Sequence, residues 1–250
     1  VGSQSDLGQT PPVPSPPGPD PVASDILAEM SAYYDARASE FDEWFARAGR
    51  YNRGAAVKKR WDAEVGEVVR ILEATRIQGD VLELAGGTGI WTERLVNMAH
   101  SLTVVDASPA MIERNRRRLD DERVTYVVAD LFDWRPARQY DAVAFCFWIS
   151  HVPVERLTGF LATVADSLRP GGTVFCLDSR RTPESTAIDH ELAPPNTQLT
   201  RRALNDGREY RVVKNFYEPD SLRGAFDAAG FDIEVKLTDS FFFVVTGQRR

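Results

Sequence analysis

Cysteine and histidine are scarce in this chain, with two of the one and three of the other in 250 residues. Cys146 and Cys176 each fall inside an apolar run, so a disulfide framework is excluded and both read as reduced, buried thiols. That usage points to the cytoplasm. His100, His151 and His190 lie far apart and no Cys-x-x-Cys occurs, so zinc-type spacing is absent and no metal is expected. No apolar run approaches the ~18 residues of a membrane span. The start lacks a basic stretch followed by an apolar core, so neither a membrane segment nor a secretory signal is expected. Excess positive charge is missing too. A formal charge of −7 and a pI near 5.1 argue against a phosphate-backbone partner, so no nucleic acid is expected.

What is there has the composition of one globular domain, 43% hydrophobic and 27% charged, enough to bury a sizeable core. Residues 1–23 stand apart. They hold nearly half of the fifteen prolines and little that is apolar, and read as an extended, disordered tail. A proline-rich segment docked on a partner is the alternative. From residue 24 to 250 the chain reads as one unit. Ser24 is a candidate N-cap for a helix over Asp25–Arg37, and Val57–Ala74 repeats apolar residues at helical spacing. Apolar runs then end at Leu84, Asp106, Leu131, Phe147 and Leu177, with helical stretches between them. Such strands require a mostly parallel sheet covered by helices on both faces, an α/β, Rossmann-like architecture. Residues 179–205 form a polar excursion with little helix. A strand over Arg208–Phe216, a helix over Pro219–Ala229 and a last strand over Phe241–Thr246 follow.

The most informative stretch is Asp80-Val81-Leu82-Glu83-Leu84-Ala85-Gly86-Gly87-Thr88-Gly89-Ile90-Trp91-Thr92. A buried strand breaks into three glycines and restarts as a helix, which lets backbone approach a ligand at the carboxyl end of a parallel sheet. A dinucleotide fingerprint begun at Gly87 would need glycine where Thr92 stands, and no Gly-Lys-Ser/Thr of a phosphate loop follows. Two further strands end in carboxylates, at Asp106 before a helix opened by Ala107-Ser108-Pro109-Ala110-Met111, and at Asp130 before Leu131. A carboxylate at such a tip can accept both hydroxyls of a ribose. Each alone also reads as a turn or cap residue. All three, one strand–helix–strand unit apart, make a set.

The set resembles the class I S-adenosylmethionine (SAM) methyltransferases. The resemblance implies a seven-stranded sheet with a reversed last pair, an N-terminal helical lid over 24–56 and an acceptor-side excursion over 179–216. It implies SAM as cofactor and S-adenosylhomocysteine as product, contacted by Glu83, Ala85, Gly86, Gly87, Gly89, Trp91, Asp106, Ala107, Met111, Asp130, Leu131 and Phe147. Asp130 would accept from the adenine amine, with Met111 and Leu131 as apolar faces beside the ring. The pieces Tyr33–Asp42, Asp80–Thr92, Asp130–Trp134, His151–Pro153 and Asp206–Phe216 are together similar to the dehydrophos phosphonate O-methyltransferase type and its actinobacterial relatives. That similarity runs from about Tyr33 to Gly247 and implies O-methylation of a small-molecule acceptor. A homodimer is compatible with it.

On the acceptor side, Tyr33, Tyr34 and Arg37 of the lid, Trp148, Arg180, Arg181 and Lys214 are the expected substrate-binding residues. Packing of the lid aromatics is the alternative for that stretch. His151 sits at a strand exit over the expected cofactor, where an imidazole of pKa near ~6.5 suits removal of an alcohol proton. A structural histidine bonded to backbone before Pro153 is the other reading. The Asn/Asp-Pro-Pro-aromatic exit that would cradle an amino group is absent. The preferred expectation is therefore a sugar-like hydroxyl, such as one on a mannoside, with His151 as base. The alternatives are a phosphonate or carboxylate oxygen held by arginine and lysine, a SAM-binding protein without catalysis, and an NAD-dependent oxidoreductase.

Overall fold

The computed structural model describes residues 22–192, 194 and 197–250, so the tail expected over 1–23 lies almost wholly outside the described residues. Helix α1 (Ser24–Arg37) and the short α2 (Phe41–Ala46) precede α3 (Ala55–Ala74). Then β1 (Asp80–Leu84), one-turn α4 (Thr92–Leu95), β2 (Ser101–Asp106), α5 (Pro109–Leu119), β3 (Val124–Val128) and β4 (Tyr140–Cys146) alternate. Helix α6 (Val154–Ser167), β5 (Leu168–Ser179), β6 (Leu199–Ala203), β7 (Glu209–Val213), α7 (Pro219–Ala228), β8 (Phe231–Leu237) and β9 (Phe242–Arg249) complete the order.

Seven strands form one sheet in the order β3-β2-β1-β4-β5-β9-β8. Pairing is parallel through β5, and β9 turns antiparallel to both β5 and β8. The chain runs outward from β1 through β2 to β3 and then crosses back to β4 on the other side of β1, so the carboxyl ends of β1 and β4 flank a topological switch, the usual ligand crevice of an open α/β sheet. One buried layer joins the sheet to α6 and α7, through Phe145, Phe160, Leu161 and Phe226. The other joins it to α3, where Val57, Trp61, Val68 and Leu72 recur at helical spacing and Trp61 meets Phe241 and Phe242 edge-on. Glu64 lies in that same buried stripe. Its carboxylate accepts from the Ser240 and Phe241 amides at 3.0 and 2.8 Å, so it closes the β8–β9 turn.

Several expectations need correction. The excursion is less irregular than its composition suggests, because β6 pairs with β7 as an antiparallel hairpin outside the main sheet. The expected strand over Arg208–Phe216 shrinks to Glu209–Val213, and β8 was not separated from the segment before β9. Helix α1 begins at Ser24 itself, with Ala23 in the cap position. Cys176 is buried, but Cys146 is only half-buried.

Candidate active site

The turn after β1 is shaped by contacts that exclude side chains. A Cβ on Gly86 would stand 2.3 Å from Val104 Cγ1, and Gly89, at φ +92°, lies against the Asn115 amide. Ala85 and Phe147, at the ends of adjacent β1 and β4, both adopt positive φ, 55° and 57°. Such strain in non-glycine residues persists where surrounding structure holds it, commonly beside ligands. Gly87 donates its amide to Asp106 Oδ2 at 2.9 Å, and Ser108 donates to Oδ1 at 2.9 Å. Burial nonetheless holds the Asp106 carboxyl above its usual range. Ser108 caps α5 through the Met111 amide, and Asp130 accepts from the Phe132 amide at 2.9 Å.

An open cleft of about 790 Å³, solvent-facing space included, lies over these tips, lined by Ala85, Gly87, Asp106, Ala107, Met111, Asp130, Leu131 and Phe147. A smaller one of about 320 Å³ shares Ala85, Gly87 and Phe147 and adds Glu83, Gly86 and Trp91. Together they gather every expected cofactor residue except Gly89, which packs behind the turn. Glu83 is 1% exposed and burial pushes it up to about 8. Its Oε2 has no hydrogen-bond partner among the described residues, an arrangement suited to a cationic or donor group arriving in the cavity.

A further cavity of about 620 Å³ adjoins the first, and Tyr34, Phe41, Phe147 and His151 line both. Its other walls carry Arg37, Arg202, Lys214, His190 and the aromatic rings of Trp44, Tyr51 and Phe216. Lys214 donates to Ser150 Oγ at 2.7 Å and to Asp178 Oδ1 at 3.3 Å. Burial lowers its pKa, opposed by Asp178 and aided by Arg202. Arg37 donates to the Tyr51 hydroxyl at 3.0 Å, and Arg202 Nη1 has no partner among the described residues. Arg202 was not among the expected substrate residues. The signal was the alternation of β6, which turns Arg201 outward and Arg202 inward.

His151 ends a 3-10 turn over Ile149–His151 and is 8% exposed. Its Nδ1 lies 2.6 Å from the Val213 carbonyl, which can only accept, so Nδ1 carries the proton and Nε2 the lone pair. Tyr34 therefore donates its hydroxyl proton to Nε2, at 2.8 Å. Burial and the Lys214 ammonium lower His151 to about 3, so the ring is neutral at ordinary pH.

Four expected substrate residues lie outside the lining of the second cavity. Tyr33 is fully buried among Ile26, Met30, Val212 and Val213, so the packing alternative holds for it. Trp148 lines the first cavity and not the second, because its ring packs between Phe132 and Phe160. Arg180 donates to the carbonyls of Thr238 and Asp239 at the β8–β9 turn, away from both cavities. Arg181 is exposed, with its guanidinium 6.0 Å from the Phe216 ring, at the outer rim.

Helices α1 and α2 border both cavities through Tyr34 and Phe41. Asp35 accepts from Ser108 Oγ at 2.7 Å, and Asp42 accepts from Thr88 Oγ1 at 2.5 Å and from Arg118. Beyond β5, the segment around Pro183–Ser185 is held through its backbone. Trp44 and Arg47 donate to the Ser185 carbonyl, Arg47 also to Glu184, and Arg53 to those of Thr186 and Ala187.

Residues 81–172 match a family model described as a methyltransferase domain. The structure of a DhpI–SAH complex is 34% identical, with a TM-score of 0.75, covering 91% of this chain and 98% of that one. A DhpI–SAM–HEP complex gives 34% and 0.74, covering 90% and 99%. Among curated proteins, the ubiquinone biosynthesis O-methyltransferase of Xanthomonas axonopodis pv. citri (strain 306) is 26% identical over 211 residues. The match covers 78% of this chain and 81% of the relative. The chain belongs to the class I SAM-dependent methyltransferases.

Proposed function

We propose that this methyltransferase acts on a hydroxyl oxygen of a small polar, sugar-like acceptor, with His151 as the terminal proton acceptor. One observation carries the reading: the neutral, tautomerically fixed His151 stands in the wall common to both cavities. The residues present fit SAM. Asp106 and Asp130 would accept from ribose hydroxyls and the adenine amine, Met111 and Leu131 would face the ring, and the orphaned Glu83 Oε2 would meet the cofactor's ammonium. When bound, SAM supplies an electrophilic methyl. The lid and the aromatic wall of Phe41 and Phe147 keep water from it and align the acceptor.

A base of pKa about 3 does not draw a proton from a resting alcohol. It suffices when the proton leaves late, because an oxygen gaining a third bond is far more acidic than imidazolium. The site's total charge is also unchanged, since a positive charge leaves sulfur as one appears on the ring.

The anionic-acceptor reading keeps support from Arg37, Arg202 and Lys214, which face one cavity with Asp178 as their only carboxylate partner among the described residues. Transfer of labelled methyl to hydroxyl and anionic panels separates the two. His151→Ala is expected to lower kcat by about 10²–10⁴-fold with SAM affinity unchanged. Label on phosphonates or carboxylates alone, with His151→Ala still active, reverses the preference. Calorimetry showing NAD binding without SAM binding would remove both.

A further inference from the structure

We propose that the acceptor hydroxyl meets Tyr34 Oη rather than the imidazole, so that Tyr34 is a catalytic residue relaying the proton to His151. This rests on the hydroxyl reading above. The Tyr34 proton is committed to His151 Nε2 at 2.8 Å, because Nδ1 is already donating to Val213. The Nε2 lone pair is thus occupied, and the phenol oxygen is left with lone pairs only. Tyr34 lines both cavities, as the transfer point requires. Burial holds its hydroxyl well above the usual tyrosine range, so the phenol keeps a proton and serves as a conductor, not as a phenolate base.

The step balances. The acceptor oxygen forms a bond to the methyl carbon as the carbon–sulfur bond breaks and its electron pair stays on sulfur. The acceptor's proton passes to Tyr34 Oη while Tyr34's own proton passes to Nε2. The products are a methyl ether, a neutral thioether and an imidazolium whose Nδ1–H still donates to Val213. Tyr34 belongs to α1 and His151 to the core, so the relay exists only with the lid down.

Two groups acting in series lose their function together. The test is a double-mutant cycle of Tyr34→Phe and His151→Ala, with labelled SAM and methyl α-D-mannopyranoside, its 3-O-methyl ether and glycerol as hydroxyl probes. Methylphosphonate and benzoate serve as anionic probes. Tyr34→Phe keeps the ring that packs on Tyr33 and His151. It is expected to lower kcat by at least about 10²-fold, to leave the SAM Kd within about threefold, and to be made no worse by adding His151→Ala. Tyr34→Phe with undiminished kcat, or losses that multiply in the double variant, overturns the relay while leaving His151 as base. Wild-type transfer to none of the hydroxyl probes, or single variants that are both fully active, overturns the hydroxyl reading and the relay with it.

Discussion

Glu83, His151 and His190 are three titratable side chains held neutral over a wider pH range than in water. Burial keeps Glu83 protonated up to about 8, whereas burial and neighbouring cations hold His151 and His190 neutral down to about 3. The folded pKa of each histidine lies below its unfolded value of 6.5, so their contribution is present above 6.5 and is lost as pH falls toward 3. Glu83, raised from 4.5, contributes below that value and loses its contribution as pH rises through 8. Among these three groups, the two histidines outweigh the glutamate below pH 6.5, and above it only the glutamate still changes charge. The cofactor-free protein is therefore expected to melt highest near pH 6.5, and scans from pH 5 to 8.5 check this. Glu83→Gln should flatten the alkaline side. A melting temperature that climbs steadily to pH 8.5 in the wild type would contradict the assignment. Asp106 and Asp130 were legible because each ends a strand, and Glu83 because it interrupts an apolar run just before the glycine turn. The His151 tautomer was not, since it depends on Val213, distant in sequence.

Among the elements, the glycine turn after β1 and the helices α1 and α2 shape the site. Gly86→Ala places a methyl into Val104 and is expected to cost about 1–3 kcal/mol and to abolish SAM binding by displacing the Gly87 amide from Asp106. Calorimetry and melting on one sample give both values. The lid is tied to the cofactor loops through Asp35 and Asp42. Residues 24–45 should exchange amide hydrogens more slowly with S-adenosylhomocysteine than without it, and Asp42→Ala should remove much of that difference. Equal protection in both states would make α1 and α2 permanent packing helices. The lid's chemistry could be read in Tyr33–Asp42, but not the roles within it. Adjacent tyrosines on a helix sit about 100° apart around its axis, so one enters the core with Met30 while the other, its ring edge-on to the first, reaches His151. Of the hairpin β6–β7 only the second strand is plain in the sequence, because the short β6 alternates weakly and carries the adjacent Arg201-Arg202. In β8, Asp232, Glu234 and Lys236 alternate with apolar residues as befits a charged edge strand.

Across the whole molecule, an acidic chain of net charge −7 encloses a cavity whose charged side chains are cationic. Net charge is a sum over the chain and carries no word of such a local inversion, whereas the succession of strands follows from hydrophobic runs and was legible from Asp80 to Leu177. The wall contributed by 184–187 is fastened by Trp44, Arg47 and Arg53 to carbonyl oxygens, atoms that every amino acid supplies. The Glu184 carboxylate also accepts from Arg60 and Ser185 Oγ donates to the Thr182 carbonyl, but Thr186, which lines the cavity, is held by its carbonyl and can vary its side chain without loosening that anchorage. Thr186→Val is accordingly expected to change the relative rates among acceptors while moving the melting temperature by less than about 2 °C, as activity profiles and melting curves would show. A lineage built this way can exchange one acceptor for another by substitutions in a few neighbouring codons, the sheet and cofactor turn remaining as they were.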